Sequence, residues 1–218
     1  MKQSTFDYSF LGLGLLIQVV TFVLSGSLLP GSGLSWLSLL SGCLGICSVC
    51  LTAQGRILTY AFGFAQVGTY TWLCFSQRFY GEMAVNAYYF VTMLYGVYVW
   101  RNRLAAERHT VTTRRLRPSI LLLVIALMLA GSGLAGWGLS VWTDDTQPFL
   151  DAFTTVPALV AQVLMICVYR EHWFIWFAVD ILNVLLWLRA GDWCMVAQYA
   201  FWCANCIYGY TRWAKLEH

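Results

Sequence analysis

The sequence predicts an all-α integral membrane protein with eight transmembrane helices. Of its 218 residues, 60% are hydrophobic and only 11% are charged, whereas soluble domains carry about 25% charged residues. The apolar residues are grouped in runs of roughly 20, the length that an α-helix needs to cross a bilayer. The predicted spans cover 8–29, 34–54, 57–76, 83–100, 118–141, 149–169, 172–189 and 193–213.

The distribution of basic residues predicts the orientation of these spans. The loop at 101–117 carries six arginines, and short loops rich in lysine and arginine remain on the cytoplasmic side. Alternation of the spans then puts eleven of the thirteen basic residues on that side and only Arg78 and Arg189 outside. We therefore expect both termini in the cytoplasm. The same bias explains the basic loop without nucleic acid as a partner.

The chain also contains an internal repeat. Two stretches of the first half align with two of the second, 56–73 with 170–187 at an offset of 114 and 83–100 with 196–213 at an offset of 113. The clearest match is Tyr95-Gly96-x-x-x-Trp100 against Tyr208-Gly209-x-x-x-Trp213. The alignment pairs Gln66 with Asp180, Tyr89 with Trp202 and Thr92 with Asn205.

The repeat predicts how the chain is organised. Three-helix units at 34–100 and 149–215 are joined by 101–148, which holds the basic loop and a linker helix. Because one helix separates the units, both have the same orientation, and transporters with parallel repeats bind substrate near the midplane. The helix within 1–33 is an addition outside the repeat. Residues 216–218 match the start of a vector-encoded histidine tag and are set aside.

Polar and aromatic side chains share one face of each of the last two spans. Spacings of three and four residues, which keep side chains on one helix face, relate Trp173, Trp176, Asp180 and Asn183, and in the last span Gln198, Trp202 and Asn205. Asp180 lies near the predicted bilayer centre. A carboxylate there costs roughly 2.5–3.5 kcal/mol on insertion scales, so it is expected to have a partner.

Several partners for Asp180 stay open at this stage, because no lysine or arginine lies inside a predicted span. They are a cationic ligand, a proton, a sodium ion, or hydrogen bonds from asparagine and glutamine. The indoles favour a flat cationic ligand, since tryptophan faces stack on rings and attract cations. Hydroxyl or carboxamide groups of a ligand suit the amides of Gln66, Asn183, Gln198 and Asn205.

Enzymatic chemistry has little support in the sequence. The three histidines are dispersed at 109, 172 and 218, and neither HExxH nor GxSxG is present. Nearly all eight cysteines lie in apolar segments, where cysteine packs as a small residue. Cys203-x-x-Cys206 has no second ligand pair for a metal. We expect no enzyme, metal or cofactor, and a membrane scaffold is the alternative to a transporter.

Two motifs carry a family resemblance. Trp173-x-x-Trp176-x-x-x-Asp180, followed by Tyr208-Gly209-x-x-x-Trp213, resembles the Pnu family of bacterial vitamin transporters, which is related to the SWEET sugar transporters. The resemblance implies a 3+1+3 core with one extra N-terminal helix in the bacterial inner membrane. It also suggests a homo-oligomer.

The resemblance implies facilitated diffusion of an unphosphorylated vitamin, which a cytoplasmic kinase then traps by phosphorylation. It implies substrate-binding residues at Trp173, Trp176, Asp180, Asn183, Gln198, Tyr199, Trp202 and Asn205, with Gln66 and Tyr89 as counterparts in the first repeat. Family members carry nicotinamide riboside, thiamine or riboflavin. The first two are aromatic cations and suit Asp180, so we expect nicotinamide riboside first, thiamine second and riboflavin third. An ion-coupled mechanism, with Asp180 as a proton or sodium site, remains an alternative.

Overall fold

The computed structural model describes residues 3–24, 33–77, 80–103, 111–142, 148–190 and 193–216. The described helices are α1 Gln3–Leu24, α2 Gly33–Ala53, α3 Thr59–Gln77, α4 Tyr80–Arg101, α5 Pro118–Trp142, α6 Pro148–Ile166, α7 His172–Ala190 and α8 Trp193–Trp213. Each predicted span corresponds to one of these helices, with ends that agree within five residues. The all-helical prediction is therefore confirmed.

Four helices, α1, α2, α5 and α6, are long and apolar enough to cross a membrane on length and composition. The remaining four carry more polar side chains, among them Asp180, Gln198 and Asn205. All three of these side chains are buried inside the bundle. A polar residue lowers the mean hydropathy of its helix wherever it points, which is why α7 and α8 give a weaker signal.

The two halves of the bundle have equivalent helix contacts. In the first half α2 packs on α3 and α3 on α4, and in the second α6 packs on α7 and α7 on α8. The last helix of each half contacts the first helix of the other, α8 with α2 and α4 with α6. Outside these six helices, α1 lies against α2 and α8, and α5 lies against α6.

The turns after α2 and α6 have the same hydrogen bonds at a constant offset of 113 residues. The matching amide-to-carbonyl pairs are Gly55 to Thr52 with Val168 to Met165, and Arg56 to Leu51 with Tyr169 to Leu164. Gly55 and Val168 both have a positive φ, 67° and 59°. Glycine adopts this conformation freely, whereas a β-branched residue rarely does. The same turn geometry is thus kept in both halves.

This offset corrects the sequence alignment of the third and seventh spans. The hydrogen bonds that start α3 and α7 also match at 113, from Thr59 to Arg56 and from His172 to Tyr169. The sequence alignment used 114 here and paired Gln66 with Asp180. At the observed offset Val67 falls opposite Asp180, so the polar groups of the two halves are not in equivalent positions.

A short backbone segment, 111–114, crosses between the two turns, and we call it the strap. Its four amides donate, in order, Val111 to Gly55 O (2.9 Å), Thr112 to Arg103 O (3.1 Å), Thr113 to Leu216 O (3.1 Å) and Arg114 to Val168 O (2.8 Å). The first and last acceptors are 113 residues apart, and so are the middle two. The strap therefore joins equivalent points of the two halves. Leu216 takes part only through its backbone carbonyl, which any residue there provides.

Two fully buried tryptophans close the bundle at the strap end. Trp100 Nε1 donates to Met165 O at 3.3 Å and Trp213 Nε1 donates to Thr52 O at 2.8 Å. One turn earlier, Gly96 and Gly209 lie directly against the rings of Tyr60 and Trp173. A side chain at either glycine would collide with that ring. The YGxxxW motif therefore has the same packing role in both halves.

Most basic residues that were predicted to share one side of the membrane lie at the strap end. Arg56 and Arg170 belong to the two turns, Arg103 and Arg114 bond through their backbones to or within the strap, and Lys215 follows α8. Lys2, Arg78 and residues 104–110, with Arg108 and His109, lie outside the described residues. The structure thus groups the described part of the basic loop with both turns.

Candidate functional site

Asp180 lies in the middle of α7 and is 2% exposed. On one side, Cys206 Sγ of α8 donates to its Oδ2 at 3.4 Å. On the other, Oδ1 has no hydrogen-bond partner within the described part of the chain. A thiol is a weak donor, so this contact stabilises the carboxylate little. The sequence had predicted only a packing role for Cys206, and its contact with Asp180 went unforeseen.

α2 approaches the neighbouring part of the bundle through a buried glycine, Gly45. A Cβ atom there would lie 3.3 Å from Trp202 Cζ2, 3.5 Å from Gln66 Cγ and 3.8 Å from Gln198 Nε2. Without a side chain, the α2 backbone allows groups from α3 and α8 to meet against it. The structure therefore brings together three of the predicted site residues, Gln66, Gln198 and Trp202.

Gln18 of α1 lies on the same side, and sequence reasoning missed it. A Cβ atom at Gly42 would lie 2.5 Å from Gln18 Nε2 and 3.2 Å from Gln198 Oε1. Two amides from different helices thus flank one glycine. Gln18 is 3% exposed, and its Oε1 has no partner among the residues described. The signal was an isolated amide in an apolar helix, but that helix had been set apart from the repeat.

Asn205 connects α8 to α2. Its Nδ2 donates to Val49 O at 3.2 Å, while its Oδ1 has no partner in the described ranges. One turn earlier on α8, Trp202 packs edge-on against Tyr199 with ring centroids 5.1 Å apart. Asn205 and Trp202 are therefore held at the α2–α8 contact with polar atoms still available. Residues Gln18, Gln66, Asp180, Gln198, Trp202 and Asn205 are called the central cluster below.

Trp173 is not brought to this cluster. It packs at the strap end, 4% exposed, against Gly209 and with its ring 5.9 Å from that of Trp213. Seven residues separate it from Asp180, which is about 10 Å along a helix axis. The face shared by Trp173 and Asp180 therefore serves two purposes, the closed end of the bundle and the buried carboxylate.

The other predicted residues lie at intermediate places. Trp176 is partly buried between two hydrophobic clusters, and Tyr89 packs partly buried against one of them. Asn183 is half-buried and donates to Val179 O of its own helix at 3.0 Å. These contacts hold each side chain in place without assigning it to a ligand.

The central cluster combines charge, aromatic surface and free hydrogen-bonding capacity. Four of its buried polar atoms have no partner among the described residues, namely Gln18 Oε1, Asp180 Oδ1, Trp202 Nε1 and Asn205 Oδ1. Buried polar atoms are paired in the large majority of cases, so such a group of exceptions is typical of a binding site. One carboxylate beside an indole and several amides suits a flat, polar cation.

Comparison with known proteins agrees with this chemistry. The family model described as "Nicotinamide mononucleotide transporter" matches residues 35–215, which is α2 to the end of the described chain. The chain is 33% identical to the nicotinamide riboside transporter PnuC of Neisseria mucosa, over 92% of this chain and 77% of that protein. It is 30% identical to the nicotinamide riboside transporter PnuC of Haemophilus influenzae, over 84% of this chain and 80% of that protein.

A solved structure is similar over nearly the whole chain. The crystal structure of the vitamin B3 transporter PnuC superposes with a TM-score of 0.80 at 32% sequence identity, covering 97% of this chain and 91% of that one. The coverage extends beyond the family match, so α1 also belongs to the shared architecture.

Proposed function

This chain belongs to the Pnu family of membrane transporters, and we propose that it carries nicotinamide riboside across the bacterial inner membrane. The family membership establishes a multi-pass vitamin transporter as the class of protein. Proteins named as nicotinamide riboside transporters are its relatives. The choice of that substrate for this chain depends on the central cluster, and above all on Asp180.

The charge of the cluster favours the riboside over the mononucleotide that the family description names. Asp180 has one carboxylate oxygen without a partner, and no ion pair to it is found among the described residues. Nicotinamide riboside has a positively charged pyridinium ring and no phosphate. The mononucleotide adds a phosphate, and two like charges 4 Å apart repel by about 4 kcal/mol at an effective dielectric of 20. A cation without phosphate therefore suits the cluster best.

Each part of the riboside has a matching group in the proposal. The pyridinium ring lies near Asp180 and stacks on Trp202, since indole faces attract cations. Its carboxamide and ribose hydroxyls bond to amides, for which Gln66, Gln198 and Asn205 offer both donors and acceptors. Partly buried side chains border this position and are assigned to its periphery, namely Tyr89, Trp176, Asn183 and Tyr199, while Trp173 closes the strap end.

The proposed architecture is two parallel three-helix units, 34–100 and 149–215, joined by 101–148. Support comes from the hydrogen bonds that repeat at 113 residues in the turns, the strap and the paired tryptophans. The clustering of arginines at the strap end supports a cytoplasmic position for that end. Asp7 of α1 contacts Tyr208 and Arg212 near the end of α8, which supports placing both termini there.

Transport then follows from movement of the two units around the cluster, as in other transporters built from repeats. We propose facilitated diffusion, in which the riboside equilibrates and a cytoplasmic kinase traps it by phosphorylation. The ion-coupled alternative uses Asp180 for a proton or sodium ion. Thiamine, also an aromatic cation, is the competing substrate because a carboxylate does not distinguish between two cations.

Uptake by purified protein in liposomes tests the proposal. Labelled nicotinamide riboside should equilibrate across the membrane without a pH or sodium gradient, and unlabelled riboside should compete more strongly than thiamine or riboflavin. Accumulation that requires an ion gradient would support the coupled mechanism instead. Stronger competition by thiamine would reassign the substrate, and absence of uptake for all three would contradict the proposed function.

A further inference from the structure

A cavity of about 320 Å³ lies away from the central cluster, where α4 ends beside the strap. Its polar lining consists of Tyr95, Tyr98, Asn102, Arg103, Arg114 and Tyr169. We propose that this cavity binds the headgroup of an anionic phospholipid. The proposal concerns a second site and does not depend on which vitamin the central cluster binds.

The cavity carries positive charge that its own lining does not neutralise. Arg103 and Arg114 both line it, and none of its lining residues is aspartate or glutamate. Neither arginine forms an ion pair with another described residue. Guanidinium groups bind phosphate oxygens through two parallel hydrogen bonds, and tyrosine and asparagine add further donors. The lining is therefore suited to a phosphate.

The equivalent place in the other half of the bundle already holds an acidic group. Tyr208, which is Tyr95 plus 113, donates its hydroxyl to Asp7 Oδ1 at 2.5 Å, and Arg212 NH2 lies 3.4 Å from Asp7 Oδ2. Helix α1 carries Asp7 to that place and packs along α8. In the first half, no described helix takes the position of α1 beside α4. The fold thus shows which chemistry this surface accepts: a carboxylate attached to an apolar rod.

Exposure of the two tyrosines reflects this difference. Tyr208 is 9% exposed under α1, whereas Tyr95 is 60% exposed. Val91, Leu94 and Tyr98 are exposed too, and with Tyr95 they follow the three- and four-residue spacing of one helix face. This apolar stripe leads from the middle of α4 to the cavity. A lipid has acyl chains for the stripe and a phosphate for the arginines, whereas a free phosphate has no use for the stripe.

The proposed place in the membrane agrees with the charge. Basic pockets between helices at the cytoplasmic side of a membrane are typical sites for anionic lipid headgroups. Tyrosines are enriched at the same depth, where their rings face acyl chains and their hydroxyls face headgroups. Tyr95, Tyr98 and Tyr169 meet this description.

Native mass spectrometry of the delipidated full-length protein tests the site. Phosphatidylglycerol and phosphatidylcholine with identical acyl chains are offered at equal concentrations in neutral detergent. We expect at least fivefold more retained phosphatidylglycerol on the unsubstituted chain, and loss of this preference in the double variant Arg103→Gln/Arg114→Gln. Arg56→Gln is the matched control, because Arg56 is an exposed arginine at the same end that does not line the cavity. It should keep the preference.

Further arms keep the result decisive. Arg103→Lys/Arg114→Lys retains the charges without the bidentate geometry and should recover part of the preference, which also shows that a substituted chain folds. Equal retention of both lipids by the unsubstituted chain would overturn the proposal, and so would an unchanged preference in the glutamine variant. Complete displacement of the lipid by equimolar inorganic phosphate would show a small-anion site instead. Pairs of chains that dissociate only in the glutamine variant would show that a second copy occupies the surface.

Discussion

Trp100 and Trp213 stand 5.8 Å apart at the strap end, and each donates its indole N–H to a carbonyl of the opposite half. The acceptors, Met165 and Thr52, terminate the first helix of their own halves. Each hydrogen bond thus crosses from the last helix of one unit to the first helix of the other. The pair ties the two halves together at the end where the strap also joins them.

Replacement of Trp213 by Phe is expected to lower the stability of the protein by about 1–3 kcal/mol. The change removes a hydrogen bond and leaves the buried Thr52 carbonyl without that donor. Trp100→Phe should have a smaller effect, because its bond is longer, 3.3 Å against 2.8 Å. Thermal unfolding in detergent measures both. Trp137→Phe is the control, since Trp137 is 55% exposed; an equal shift for Trp137→Phe and Trp213→Phe would contradict the cross-tie.

Replacement of Gly45 by Leu should weaken binding of nicotinamide riboside at least tenfold. Even a Cβ atom at this place meets Trp202 at 3.3 Å, and a longer side chain must displace Trp202, Gln66 or both. Gly12→Leu is the control, because nothing lies within 4 Å of a Cβ atom there. Titration calorimetry on the two purified variants gives the comparison. Unchanged binding by a folded Gly45→Leu variant would remove the α2–α8 contact from the site.

Replacement of Gln18 by Leu separates binding from stability. Loss of one ligand hydrogen bond, about 0.5–1.5 kcal/mol, corresponds to roughly two- to tenfold weaker binding. Stability should not fall, because leucine is similar in size and removes a buried oxygen that lacks a partner. Calorimetry and thermal unfolding on the same sample measure the two effects. Weaker unfolding resistance together with normal binding would show that Gln18 only packs α1 onto the bundle.

The sequence predicted the helices well, because each is a long apolar run with clear ends. The YGxxxW pairing was also recoverable, since Gly96 and Gly209 are each restricted by a ring against them. The one-residue error between α3 and α7 has a physical origin. Apolar helices draw on few residue types, so a shift of one position costs an alignment little. The backbone hydrogen bonds of the turns resolve it.

The site was predicted in part for a related reason. Asp180, Gln198 and Asn205 stood out because a polar group in an apolar helix needs a partner. Trp173 shares their helix face, and spacing alone does not distinguish a residue two turns away at the closed end. Gln18 and Cys206 were missed because their relevance depends on which helices touch. Contact between α1, α2 and α8 is a tertiary property that no local pattern encodes.

The central claim is that Asp180 recognises the positive charge of the ligand. A cycle of four calorimetric titrations tests it most directly, with the protein as it stands and Asp180→Asn, each against nicotinamide riboside and its neutral 1,4-dihydro form. We predict that the unsubstituted protein binds the cation at least tenfold more tightly, which is about 1.4 kcal/mol, and that Asp180→Asn reduces this preference to less than threefold. A preference of the same size in both proteins would contradict the account.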